Sequence, residues 1–238
     1  MLRLNRDTAA AFARSHGGWA ATAEALELMH SWLPDTAAGA WATANPERQW
    51  PSADVTWWEP PSPVALDAET CDEAISQAEW SEAAAPAHPT WQAPWRCTTY
   101  DLDSDATGDD EDLRSLGGRA LAAGFIANAA WWRLDVEWWS LQVKRYEPGQ
   151  KHPRHQDLHV GQLDRKLGIS IQLSDPDDYD GGELRVHSTV GSKVPVLDAP
   201  RTRGSATVFP GWVDHEIAPV TRGVRWALVA WGFGPPIR

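Results

Sequence analysis

The sequence is poor in cysteine and lysine, and each shortage narrows what the chain can be. Only Cys71 and Cys97 occur in 238 residues, and they do not form a CxxC pair. One possible pairing is no disulfide framework, and no zinc or redox motif surrounds either thiol. Two reduced thiols in a cytoplasmic protein are therefore expected. Lysine occurs only at Lys144, Lys151, Lys166 and Lys193. Asp plus Glu outnumber Lys plus Arg by 33 to 21, which gives a net charge of −12. Phosphate backbones are held by clustered cations, so nucleic acid is not an expected partner. No run of ~18 apolar residues occurs, so no membrane span is expected. The opening MLRLNRDTAAAFARSHGG carries charges every few residues and no apolar stretch, unlike a secretory leader. No repeat with a period of ~20–50 residues is visible.

What is present suits a folded domain with a sizeable core. Hydrophobic residues make up 42% of the chain, well above a disordered composition. Sixteen residues are Trp, with adjacent pairs at Trp57-Trp58, Trp131-Trp132 and Trp138-Trp139. Core packing is the preferred reading of these rings over a ligand-stacking platform. Residues 1–62 read as a helical extension rich in Trp, Ala and Pro. Helical spacing appears over Thr8–His16 and Thr22–Trp32, and Pro60-Pro61-Ser62-Pro63 forms a stiff boundary. Residues 63–238 read as the main domain. Asp67 caps a helix with an apolar stripe of Cys71, Ala74, Ile75 and Ala78. The acidic run over 101–112 lacks Gly at the sixth position and Glu at the twelfth of a calcium loop, so it reads as a solvated loop. Ser115–Trp132 has helical character weakened by Gly117, Gly118 and Gly124.

From Val136 onward the pattern changes to strands. Apolar alternation marks Trp139–Tyr146, Leu167–Leu173, Glu183–Val186, Lys193–Leu197, Ser205–Phe209, Glu216–Val220 and Val224–Trp231. Glu-Pro-Gly, Asp-Gly-Gly and Thr-Arg-Gly separate them with turn chemistry. Many short strands at regular spacing predict a mainly β sandwich or barrel, preceded by helices.

One constellation in this region carries chemistry. His155 and Asp157 are two residues apart, so on a strand both face one cavity. His215 lies sixty residues on, just ahead of an expected strand. Two His and one carboxylate on one side of a metal form the facial triad of non-haem Fe(II) oxygenases, which leaves positions open for co-substrates. Arg225 alternates with Ala227, Val229 and Trp231, so it points inward with them. A buried guanidinium needs a partner, and its fork matches a carboxylate.

Taken together, these motifs resemble the iron- and 2-oxoglutarate-dependent oxygenases, in particular their prolyl 4-hydroxylase-like branch. The resemblance runs through Tyr146-Glu-Pro-Gly-Gln, His155-Gln-Asp157, Ile169-Ser-Ile-Gln-Leu-Ser, Tyr179-Asp-Gly-Gly-Glu-Leu, Gly204-Ser-Ala-Thr-Val-Phe-Pro and the segment from His215 to Arg225. It covers about residues 137–231, and residues 1–62 take no part in it. It implies a double-stranded β-helix, the jelly-roll barrel of cupins, with helices packed on its larger sheet. It implies that His155, Asp157 and His215 bind Fe(II), and that Arg225 holds the distal carboxylate of 2-oxoglutarate. It gives Tyr146 a hydrogen bond to that co-substrate. His152 stands where relatives often carry an aromatic residue, and a merely structural role is preferred for it. His159 is expected beside the ligands or facing substrate, because the chain turns at Gly161. His187 is expected at the surface, Glu183 in a structural role, and Asn128 where such domains often carry Asn before the barrel.

The implied activity is hydroxylation of an unactivated C–H bond, with O2 as second co-substrate and succinate and CO2 as products. The expected substrate is a prolyl or lysyl residue or a related amino acid. A small-molecule metabolite oxidised by the same chemistry, and a non-catalytic barrel acting as a binding module, stand as alternatives. Asp157 opposes halogenation, since halogenating relatives carry a small residue there. Trp231 stands where the nucleic-acid-demethylating branch carries a second Arg. Substrate choice is expected in the loops at 101–118 and 187–203.

Overall fold

The computed structural model describes residues 19–20, 55–60, 65–84, 97–102, 116–128, 132–187 and 196–236. The helices expected over Thr8–His16 and Thr22–Trp32, and nearly all of the acidic run, lie outside these residues. All strand pairing is antiparallel. The larger sheet has seven strands: β1 (Trp19–Ala20), β2 (Thr56–Trp58), β3 (Thr98–Leu102), β4 (Trp138–Tyr146), β6 (Arg165–Gln172), β10 (Ala206–Pro210) and β13 (Arg225–Phe233). Its order is β1-β4-β13-β6-β10-β2, and β3 lies beside β1 on the outer edge of β4. The smaller sheet has the order β5-β11-β8-β9, built from His152–His155, Asp214–Ile217, Leu184–His187 and Val196–Asp198. A two-stranded ribbon pairs β7 (Tyr179–Gly181) with β12 (Val220–Gly223). Two sheets closing over a shared interior give the double-stranded β-helix. Strands β1 and β2 come from residues before 62 and lengthen the larger sheet.

Alternation along the strands separates two cores. Outward-facing Trp139, Leu141, Val143, Ile169, Ile171, Val208, Leu228 and Ala230 are buried under two helices, α1 (Ala68–Ala84) and α2 (Leu116–Ala127). Inward-facing Tyr146 and Phe209 meet Leu184, Val186, Val213 and Ile217 of the smaller-sheet side. Gly168, Ser170, Gln172, Thr207 and Arg225 share that inner face, so polar groups concentrate inside the barrel.

Local chemistry fixes the helices. Asp67 Oδ1 accepts a 2.8 Å bond from Thr70 N, which caps α1. Its other oxygen takes Arg119 of α2 at 2.6 Å. One of the glycines that weaken the sequence reading of α2, Gly124, has a packing reason. A Cβ on Gly124 would sit 2.5 Å from Ile169 Cδ1 and 2.6 Å from Trp139 Cη2, so only glycine lets the helix approach the sheet this closely. The helix ends near Asn128, whose side-chain amide exchanges two 2.8 Å bonds with the backbone of Leu134. The described Trp rings pack as expected. Trp57 and Trp139 are buried, Trp138 stacks on Phe233, and Trp226 stacks on Tyr100. Both cysteines are free thiols, and burial pushes Cys71 up to about 11.

Candidate metal centre

Strand register brings the two histidines together. His155 on β5 pairs directly with His215 on β11, so both side chains leave the same face. Their ring centroids are 4.2 Å apart. Each ring is oriented by the backbone: His155 Nδ1–H donates to Pro153 O at 2.9 Å, and His215 Nδ1–H donates to Val213 O at 3.1 Å. Both Nε2 atoms are thereby left as lone-pair donors facing one point.

Asp157 arrives there differently from the sequence expectation. Strand β5 ends at His155, and Asp157 lies in the bend that follows rather than on the strand. Leu158 N–H bonds Gly211 O at 2.7 Å and anchors this bend to the turn after β10. The carboxylate is 2% exposed. Its Oδ1 is 3.7 Å from His155 Nε2, and its Oδ2 is 3.8 Å from His215 Nε2. One ligand atom from each of the three residues lies within 4.8 Å of the others. His215 likewise sits inside β11, not ahead of it.

The electrostatics favour a cation at this point. Burial would raise the Asp157 carboxyl, but the neighbouring His155, His215 and Arg165 side chains bring it down to about 2. Burial shifts His215 below the ordinary imidazole range, against the pull of the Asp157 carboxylate. Asp157 Oδ2 is buried and has no hydrogen-bond partner among the described residues. A buried anionic oxygen without a donor is costly unless something positive meets it.

Arg225 presents the complementary problem deeper in the barrel. It is 3% exposed, and its Nε and Nη1 have no partner among the described residues. Tyr146 pairs with it across β4 and β13, and the guanidinium carbon lies 5.4 Å from the Tyr146 ring centroid. Burial, followed by the Cys97 thiol, holds the Tyr146 hydroxyl in its protonated form. A cavity of about 260 Å³, counting its open side, lies beside Arg225 between Ser170, Gln172, Thr207 and Arg201. Gly182 makes room for the Arg225 stem, since a Cβ there would meet its Cδ at 2.9 Å.

These features have counterparts in known proteins. The profile of the 2OG-Fe(II) oxygenase superfamily matches residues 141–233. A PKHD-type hydroxylase of Delftia acidovorans is 31% identical over 170 residues, which is 68% of this chain and 70% of that protein. This chain belongs to the 2OG-Fe(II) oxygenase superfamily. A PKHD-type hydroxylase of Methylobacterium nodulans is 29% identical over 72% of this chain and 73% of its own length. Among solved structures, a Pseudomonas putida prolyl-4-hydroxylase shares the fold, with a TM-score of 0.58 at 19% identity over 82% of this chain and 98% of its own. A Trichoplax adhaerens prolyl hydroxylase, solved with a hypoxia inducible factor peptide fragment, gives 0.54 at 15% identity over 81% and 92%. This 2-oxoglutarate-dependent non-haem iron dioxygenase uses Fe(II), with 2-oxoglutarate and O2 as co-substrates. Its residues suit both groups: the donor set fits Fe(II), and the unpartnered guanidinium fits a dicarboxylate.

Other residues singled out in the sequence fall outside the cluster. His159 is exposed in a tight hairpin with Gln162, and its Nδ1 accepts from Gly161 N at 3.2 Å. His152 makes a tilted ring contact with His155 at 4.1 Å between centroids, and burial lowers it to about 4. His187 is only 12% exposed in its side chain and faces Glu216 at 3.3 Å, so it is less exposed than its strand-end position suggests. Glu183 pairs with Arg185 and Arg201. Sequence reasoning missed Arg165, Gly168 and Gly182. Gly168 had a readable signal, because a glycine inside an apolar strand often marks close approach. A Cβ on it would lie 3.0 Å from Asp157 Oδ2.

Proposed function

We propose that this dioxygenase hydroxylates an unactivated C–H bond of a prolyl or lysyl residue, or of a related amino acid. His155 Nε2, His215 Nε2 and an Asp157 oxygen would hold the iron, and Arg225 would grip the distal carboxylate of 2-oxoglutarate. The observation that carries the reading is the pairing of two unmet demands in one barrel. Asp157 Oδ2 lacks a cation, and Arg225 Nε and Nη1 lack an anion. Iron, when bound, couples decarboxylation of 2-oxoglutarate to succinate and CO2 with oxygen insertion into the substrate.

The chain's own part is orientation and exclusion. Backbone carbonyls hold the Nδ1 edge of both imidazoles, which turns each Nε2 toward the site. Arg225 sets the direction of the co-substrate, and Tyr146 beside it supplies a protonated hydroxyl to the same carboxylate. The buried Phe209, Val213 and Val186 surround His215 and exclude water on its side of the site. The open side is at His155, whose side chain is 32% exposed against 9% for His215. Substrate therefore approaches past His155 and His152. An amino-acid-like substrate is supported by the hydroxylase names of the relatives and by the peptide held in one structural neighbour. Residues 63–238 form the catalytic domain in this reading, with residues 1–62 as an extension.

The test is O2-dependent succinate formation with prolyl and lysyl peptides. Wild type should form succinate faster when a suitable peptide is present, and His155→Ala should form none. Succinate formation by His155→Ala at the wild-type rate would remove His155 from the metal. Stimulation by non-amino-acid metabolites alone would remove the substrate assignment.

A further inference from the structure

Arg165 opens β6 at the mouth of the barrel. Its Nη1 lies 3.3 Å from Asp157 Oδ1, while Asp157 Oδ2 stays without a partner. The guanidinium carbon lies 4.5 Å from the Trp231 ring centroid and 5.4 Å from that of Phe233. Both rings come from the end of β13, which pairs with β6 in the register Trp231↔Gly168 and Phe233↔Arg165. Gly168 completes the enclosure, since any larger residue would press on Asp157 Oδ2.

This arrangement is poor as a stability device. Arg165 Nε is buried without a hydrogen-bond partner among the described residues. An unsatisfied buried donor and one long ion pair gain little for folding. As a way of dividing the two oxygens of one carboxylate, the arrangement is effective. The cation occupies Oδ1, and the glycine leaves room for Oδ2, which lies 3.8 Å from His215 Nε2.

We propose that Arg165 is a positioning residue that turns Asp157 so that Oδ2 faces the metal, and that Trp231 holds Arg165 in place. The chain of contacts runs Trp231, Arg165, Asp157, metal. It gives Trp231 a task in a barrel with no second inward arginine at that position. The inference rests on Asp157 being a metal ligand. Removing contacts that orient a ligand typically weakens metal binding by about 10- to 100-fold.

The test uses Co(II) as the probe, with affinity measured by chelator competition and geometry by the visible ligand-field bands. Arg165→Met should weaken Co(II) by about 10- to 100-fold and alter the bands. Arg165→Lys should recover most of the affinity. Trp231→Leu should weaken Co(II) by less, and the double variant should match Arg165→Met alone. Arg165→Met with wild-type affinity and unchanged bands would overturn the role of Arg165. A Trp231→Leu effect that adds in full to that of Arg165→Met would break the proposed chain. Wild-type protein that binds no Co(II) would sink the metal-site reading and this inference with it.

Discussion

At the scale of single residues, the site is defined by groups whose ordinary partners are missing. Among the described residues, two buried Arg225 donors and one buried Asp157 oxygen have no hydrogen-bond partner. Glycines shape the space around both. Gly182 has φ +67°, and a Cβ there would meet Arg225 Cδ and Val220 Cγ2 at 2.9 Å. Gly182→Ala should therefore displace the guanidinium and raise the 2-oxoglutarate requirement. Arg225→Ala should raise it further, by ~2 kcal/mol or about 30-fold, the typical scale of a charged hydrogen bond. Steady-state KM for 2-oxoglutarate checks both, and an unchanged KM in Arg225→Ala would remove the co-substrate role. The grouping of His155, Asp157 and His215 and the burial of Arg225 were legible in the sequence, although Asp157 reaches the cluster from a bend and not by strand alternation. Arg165 was not legible. Its neighbours Asp164 and Lys166 make the segment look like a solvated turn, and only the β6–β13 register sets it against Trp231.

At the scale of elements, alternation predicted the long strands within one or two residues. Leu167–Leu173 corresponds to Arg165–Gln172, and Val224–Trp231 to Arg225–Phe233. The short pieces escaped: β7 (Tyr179–Gly181) and β12 (Val220–Gly223) offer too few residues for a period. Strand β3 has only one buried described side chain, Tyr100, and its burial comes from Trp226 and the overlying helices. The start of α1 was readable because a cap is local chemistry. The Thr70 backbone bond, then Arg119, lowers Asp67 to about 2. A carboxylate depressed in the folded state stabilises above its unfolded value and loses that contribution as pH falls toward the folded one. Asp67→Ala should thus cost ~1 kcal/mol at pH 7, toward the lower end for an exposed side chain. The difference from wild type should shrink between pH 4 and about 2. Urea unfolding at pH 7 and pH 3 measures it, and an equal difference at both would deny the cap its charge. On the sheet beneath α2, Trp139→Ala should cost about 3–5 kcal/mol, because a fully buried ring leaves a cavity. Thermal unfolding would show it.

At the scale of the whole molecule, the barrel keeps its polar interior between two apolar layers. Helices α1 and α2 cover the outer face of the larger sheet, and the smaller sheet covers the inner one. No described helix is long and apolar enough to cross a membrane. The net charge of −12 leaves the inward cations as local exceptions in an acidic chain. Arg225 and Arg165 lie at opposite ends of β13, one beside Tyr146 and the other beside Asp157. The barrel thus sets charges inside a neutral shell, where they act strongly on a bound anion and a bound cation.

The most direct test of this account is anaerobic addition of Fe(II) and 2-oxoglutarate, followed through the visible charge-transfer band of the chelate. Wild type should show the band, and it should weaken in both Asp157→Ala and Arg225→Ala. A folded, metal-loaded wild type without the band, or a band undiminished in both variants, would contradict the assignment of the triad and Arg225.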